Sequence, residues 1–286
     1  MWGLGDNIYQ RSLIKPLASQ HDVYLETPWP ELYDDTRIKF VKGERPLRTQ
    51  LRNVRRQPDS RWSPLPRYAR EIRIGYGSRE LERGMSIVAA MERTSQLTAD
   101  PFSFDLPAYE PPLSRSRPIA VVRPVTVRNE WFNEARNPLP RYIAEISRAL
   151  MKTHNVVAVA DVNGTDEWID GALPPAHDVM IRGELNIVAL LGLVANADVI
   201  VGGVGWIVPA SVAFRRRAFI VLGGQGKHNA PDRLIDRRMD GSLIGFARPD
   251  NYCMCSNMRH KCNKTISNLM DQFAAFAKRT NLSVML

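Results

Sequence analysis

The chain opens on a glycine turn, Gly3-Leu4-Gly5-Asp6, ahead of an apolar-periodic stretch. Glycines there let a substrate approach the backbone, and the free N–H groups of a helix start favour an anion. Asp6 reads either as a helix cap or as a base for a hydroxyl nucleophile. A second cluster, Val201-Gly202-Gly203-Val204-Gly205, follows an apolar run and leads into small residues near Pro209. Its G-G-x-G spacing is neither the dinucleotide fingerprint nor a P-loop. A strand running into glycines before a helix nevertheless suits a diphosphate, with a plain tight turn as the alternative. Arg123-Pro-Val-Thr-Val-Arg128 places Thr126 and Arg128 where they offer charge-assisted hydrogen bonds to a phosphate. Asp161 to Glu167 forms an acidic loop that either meets ribose hydroxyls or simply faces solvent.

Near the C-terminus, Cys253, Cys255, His260 and Cys262 form C-x-C-x4-H-x-C. These are four ligands of the type zinc uses, at an unusual spacing, with packed or free thiols as the alternative. No metal is assigned to the chemistry.

Charge is the other signal. Residues 36–73 hold twelve Arg and Lys against three acids, so this segment carries the whole of the chain's net +9. It interleaves Arg52, Arg55 and Arg56 with Trp62 and Tyr68, a composition suited to phosphates and stacked bases or, blandly, to a solvated basic face. At 286 residues, 44% hydrophobic and 24% charged, the chain can build one large or two modest domains. It has no apolar run of membrane-spanning length and no signal-peptide pattern, and three clustered cysteines are no secreted framework. A cytoplasmic protein is expected.

The elements that must position these groups alternate. Helical stripes are predicted over 7–19 and 78–96, and short strands at 22–25 and 37–41. Pro46, Pro58, Pro64 and Pro66 predict mostly loop within the basic segment. Prolines over 100–118 predict a linker. Beyond it, strands at 119–122, 156–160, 178–181, 198–201 and 218–222 alternate with helices at 138–150 and 185–197, which predicts a parallel sheet. Ligands of such sheets lie beyond the strands' carboxyl ends.

These residues together resemble the ADP-heptose:lipopolysaccharide heptosyltransferase family, in a divergent, bacteriophage-type form. The resemblance implies an α/β fold of two Rossmann-like domains facing a cleft (the GT-B type). Residues 1–114 would hold the acceptor and 115–286 the nucleotide sugar, with a C-terminal helix returning to the first domain. It implies an inverting, metal-independent glycosyltransferase needing no cofactor, only a nucleotide-sugar co-substrate. Gly5-Asp6 matches the family's glycine–aspartate turn, which makes Asp6 the catalytic base beside Gly5. Thr126 to Trp131 resembles the donor-phosphate loop, Glu167 falls where the family places an acid near the nucleotide, and Gly202, Gly203 and Gly205 fall in the donor loop. Only Met1 and Trp2 precede the turn where the family has a full strand, and Val204-Gly205 and Val208 replace the family's acid and His. The sugar is therefore not carried over. Arg52, Arg55, Arg56 and Trp62 are the expected acceptor contacts. The basic segment favours DNA with a hydroxymethylated base, the alternatives being a lipopolysaccharide core or other glycan, or a non-catalytic nucleic-acid-binding protein. Oligomeric state is left open.

Overall fold

Short apolar runs without polar alternation become parallel strands buried on both faces. The computed structural model describes residues 3–43, 47–113 and 115–285. Met1 and Trp2 before the turn, Glu44, Arg45 and Pro46 of the basic segment, Ser114 at the expected domain boundary and Leu286 lie outside them.

The first half begins with α1 (Leu4–Tyr9) and α2 (Arg11–Gln20), which share the single predicted stripe and meet at Gln10. Strands β1 (Tyr24–Glu26) and β2 (Lys39–Val41) pair in parallel, with Leu25 opposite Phe40. α3 (Arg48–Arg56) lies inside the segment predicted to be mostly loop. Prolines confine it without crossing it, because Pro46 precedes its start and Pro58 follows its end. The predicted helix over 78–96 is two, α4 (Ser78–Glu82) and α5 (Ile87–Ser95). Gly84, at φ +95°, breaks the run, and the Ser86 hydroxyl restarts it by accepting from Ala89 N.

The second half follows as β3 (Ile119–Val122), β4 (Thr126–Arg128), α6 (Pro140–Met151), β5 (Asn155–Val159), β6 (Glu167–Ile169), β7 (Asp178–Met180) and α7 (Ile187–Ala195). It continues with β8 (Val199–Gly202), α8 (Ile207–Ala213), β9 (Arg217–Val221), α9 (Gly226–Asn229), α10 (Pro231–Leu234), β10 (Ile244–Ala247) and α11 (Leu269–Thr280). Six strands form one parallel sheet ordered β7-β5-β3-β8-β9-β10. Counted along the chain, that is the 3-2-1-4-5-6 order of a dinucleotide-binding sheet, whose direction of winding reverses between β3 and β8. β4 and β6 form a separate antiparallel ribbon that pairs Arg128 with Glu167.

Alternation along the strands assigns the two faces. Val121, Ile200 and Ile220 join a cluster that also contains Ile8, Leu13, Leu32 and Met91 of the first half. The two halves therefore share one apolar core on this face. Val122, Val201, Phe219 and Val221 turn to the other face, under α6 and α11. Phe219 lies 5.1 Å from Phe273 and 5.2 Å from Phe276 between ring centroids. This aromatic packing fixes α11 on β9, β10 and α6, so the C-terminal helix does not return to the first half as expected. The predicted linker is also packed. A 3-10 turn, Pro101–Phe104, lies on α2, and Phe104 stacks 5.9 Å from Tyr9.

The first half has only a two-stranded sheet among its described residues, and a buried cation helps organise it. Arg11, fully buried, ion-pairs with Asp35 at 2.9 Å and donates to the carbonyls of Leu32 and Asp105. One guanidinium thus joins α2, the turn after β1 and the strap between the halves. Asp35→Ala removes the carboxylate while both carbonyl acceptors remain, and should cost about 1.5–3 kcal/mol. Urea unfolding that shows a loss below about 1 kcal/mol would reduce the pair to a surface contact.

Candidate active site

A cleft of about 650 Å³ opens between the halves at the β3/β8 reversal. That volume suits a nucleotide-sized ligand.

One wall comes from α1. Gly3 caps the helix, so Asp6 is its third residue, and the Asp6 carboxylate accepts from Gly3 N at 3.2 Å. Its other oxygen accepts from the Tyr76 hydroxyl at 2.8 Å. Burial raises the Asp6 pKa above the ordinary carboxylate value, although both hydrogen bonds oppose the shift. Burial, with the nearby Asp6 charge, pushes the Tyr76 hydroxyl well above its usual range, so it stays a proton donor. Asp6 therefore bonds back to the N-cap of α1 and also lines the cleft.

The facing wall is cationic. Arg123 leaves β3 with its backbone N–H on Val201 O at 2.8 Å, and its guanidinium donates to the Thr126 hydroxyl at 3.2 Å. Burial brings its pKa down to about 10, so it remains charged at neutral pH. Arg136 is shifted down by burial and by the neighbouring charge of Arg128. Its Nε is buried without a hydrogen-bond partner among the described residues. Asn133, which accepts from Arg136 N at 3.2 Å, donates to Gln225 Oε1 at 2.8 Å, so a polar network backs this wall.

The expected donor residues are partly reassigned. Thr126, Arg128, Glu167 and Gly205 line the cleft. Arg128, however, is held by Glu167 at 2.8 Å, and that carboxylate is largely buried in the pair. Arg123 and Arg136, by contrast, make no ion pair among the described residues. Gly202 and Gly203 do not line the cleft. A Cβ on Gly203 would lie 3.0 Å from Pro138 Cδ, and one on Gly202 2.8 Å from Ile207 Cδ1, so both glycines serve packing. Gly5 lines the cleft and sets its width, because its Cα face abuts the Trp206 backbone, where a Cβ would come within 3.1 Å.

The expected acceptor contacts divide similarly. Arg52 spans the cleft to Asp161 at 2.8 Å and to Gly183 O at 3.0 Å, beside Arg48 on the same carboxylate. Arg56 lines the cleft, whereas Arg55 is exposed outside it. Trp62 is half-buried against the core and bridges to Phe40, so it offers no stacking platform in the cleft. Arg61 is spent on Asp34.

Tyr76, Arg123 and Arg136 were not assigned from sequence. Gly75-Tyr76-Gly77 before a helix start is the signal that marks the first. Arg136, in a loop 14 residues after β3 ends, has no motif of its own.

Solved structures share this fold. ADP-heptose lipopolysaccharide heptosyltransferase II of E. coli superposes over 98% of both chains at 13% identity, with a TM-score of 0.54. The dodecameric, iron-containing glycosyltransferase TibC of enterotoxigenic E. coli matches 96% of this chain and 74% of its own at 11% identity, TM-score 0.61. A complex of TibC with ADP-D-beta-D-heptose matches 98% of this chain at 11% identity, TM-score 0.56. The chain has the heptosyltransferase fold. At this identity the likeness is one of fold, the α/β GT-B architecture expected from sequence. No protein-family model matches the chain, and no curated protein matches it in sequence. Among the described residues, no helix is long and apolar enough to cross a membrane.

Gly203→Val should lower the melting temperature by forcing Cβ atoms against Pro138. Nucleotide affinity per folded molecule should stay near that of the unaltered chain. A normal melting temperature with lost affinity would return Gly203 to the donor site.

Proposed function

We propose that this chain is an inverting glycosyltransferase that moves a sugar from a nucleoside-diphosphate donor to a hydroxyl of an anionic glycan acceptor, of the lipopolysaccharide-core kind. The observation that carries this reading is the placement of the Asp6–Tyr76 pair on one wall of the cleft, with the half-buried guanidiniums of Arg123 and Arg136 on the other. TibC's complex with ADP-heptose supports a nucleotide sugar as co-substrate. Residues 115–286 would hold it and 1–114 the acceptor.

Asp6 takes the proton of the acceptor hydroxyl as that oxygen bonds to the anomeric carbon. The bond from that carbon to the diphosphate breaks on the opposite face, which inverts the centre. The leaving diphosphate carries its electron pair away as negative charge, and Arg123 and Arg136 meet it. The Thr126 hydroxyl holds the Arg123 guanidinium at 3.2 Å. Tyr76 keeps the Asp6 carboxylate aimed while leaving it ionisable.

The basic segment no longer favours DNA as acceptor. Arg48, Arg52 and Arg61 are engaged in ion pairs within the chain, and Trp62 is packed. With the fold of a lipopolysaccharide heptosyltransferase, these pairings support a glycan acceptor. Labelled nucleotide sugars offered with truncated lipopolysaccharide and with hydroxymethylated DNA should label the first. Transfer to the DNA alone would reverse this assignment.

Asp6→Asn should reduce turnover by roughly 10² to 10⁴ while donor affinity is kept. The base works only when ionised, so activity should fall as pH drops through the raised Asp6 pKa, and this acid limb should vanish in the variant. Stability follows the opposite sign. The folded chain retains the Asp6 proton to higher pH than the unfolded chain, so the ionised group weighs against folding above that window. Removing the charge should therefore leave the melting temperature at pH 7 unchanged or higher.

Arg136→Met should weaken nucleoside-diphosphate binding roughly 10- to 100-fold by removing a charged donor. The same change should raise the melting temperature of the ligand-free chain, since a buried cation with an unpartnered Nε is replaced by apolar volume. Calorimetric titration that finds unchanged affinity would remove Arg136 from the donor site.

A further inference from the structure

Cys253, Cys255, His260 and Cys262 bring their ligand atoms within 4.8 Å of one another. Cys255 Sγ lies 3.6 Å from Cys262 Sγ, and His260 Nδ1 lies 3.5 Å from Cys253 Sγ and 3.3 Å from Cys262 Sγ. A tetrahedral zinc has bonds of about 2.3 Å to sulfur and about 2.0 Å to nitrogen, which places sulfurs about 3.8 Å apart and sulfur from nitrogen about 3.5 Å. Three edges of this cluster, 3.3 to 3.6 Å, match that tetrahedron, and the others stay within 4.8 Å. Pairwise thiol contacts alone give no reason for four such groups to converge on one point. Three soft thiolates and an imidazole select a thiophilic ion over magnesium or calcium.

We propose that these four residues bind one zinc ion in a closed structural site that fixes one wall of the cleft. The ion's place does not depend on the transfer reaction. The surrounding backbone is built to present the ligands. Gly226 N donates to Cys253 O at 2.8 Å and Lys227 N to Cys255 O at 3.3 Å, tying the cysteine loop to the loop after β9. Gly224 admits Cys262, because a Cβ at that position would sit 2.2 Å from its Sγ. The loop then reaches the cleft by two bonds: Gln225 Nε2 donates to Ser256 O at 3.1 Å, and Ala135 N donates to Met258 O at 2.9 Å. Ala135 precedes Arg136, and Ser256, Met258, Gln225 and Arg136 all line the cleft. Zinc at this point holds the segment that carries the anion-binding guanidinium, away from the reacting atoms.

The full-length chain, purified under reducing conditions without added chelator, should contain close to one zinc per molecule by elemental mass spectrometry. Cys262→Ser should lose the metal and melt at lower temperature. Stripping the unaltered protein with a strong chelator should lower its melting temperature and weaken nucleoside-diphosphate binding, and zinc should restore both. Cobalt(II) added to the stripped protein should give the visible bands of a tetrahedral thiolate-bound ion, a readout that stands even if Cys262→Ser does not fold. Protein that refuses both zinc and cobalt, or that carries a Cys255–Cys262 disulfide in place of a metal, overturns the proposal. Stoichiometric iron overturns zinc as the ion.

Discussion

Two half-buried guanidiniums on one wall of a cleft are the constraint on which the site turns. Burial disfavours their charge, as the downward shifts of Arg123 and Arg136 record. Arg128 is ion-paired with Glu167, and Arg48 and Arg52 with Asp161, whereas Arg123 and Arg136 make no ion pair among the described residues. A fold keeps such cations when a bound anion compensates them, and a diphosphate supplies charge and acceptor atoms together. The 3-2-1-4-5-6 strand order puts this cationic wall where the sheet reverses, and the shared apolar core brings α1 opposite it.

Much of that sheet was legible in sequence because its strands are buried on both faces. Ile119–Val122 and Val199–Gly202 are nearly continuous apolar runs, and their ends in Arg123 and Gly203 mark the ligand side. Strand β10, Ile244-Gly-Phe-Ala247, was not assigned, because its glycine interrupts the apolar run. That glycine is required by Phe276, whose ring would meet a Cβ at 2.5 Å. The β4–β6 ribbon was missed for a different reason. Its three-residue strands are held by the Arg128–Glu167 pair across 39 residues of chain, which no local periodicity reveals.

Site residues divided along the same line. The place of Asp6 in the cleft was legible because glycines and a helix start are local signals. Tyr76 was not, since its value lies in reaching back 70 residues to the Asp6 carboxylate. The basic segment shows how charge counting misleads. Composition reports net charge but not direction, and Arg48 and Arg52 turn inward onto Asp161 while Arg55 turns out. Trp62 likewise has the composition of a stacking residue and the position of a core one.

Catalysis across a cleft needs the two walls close during transfer and separable afterwards. Near α1 the approach is backbone on backbone, with Gly5 against Trp206, and apolar contacts continue beneath it. These contacts are unforgiving of distance and fix a pivot. At the rims the halves meet through ion pairs, Arg52 to Asp161 at 2.8 Å on one side and Arg238 to Glu92 at 2.8 Å on the other. Their side chains retain between a fifth and a third of their exposure, so water can replace each partner. The rim ion pairs, open to water, are therefore the looser contacts between the halves, and the close-packed approach at Gly5 and Trp206 is the tighter one.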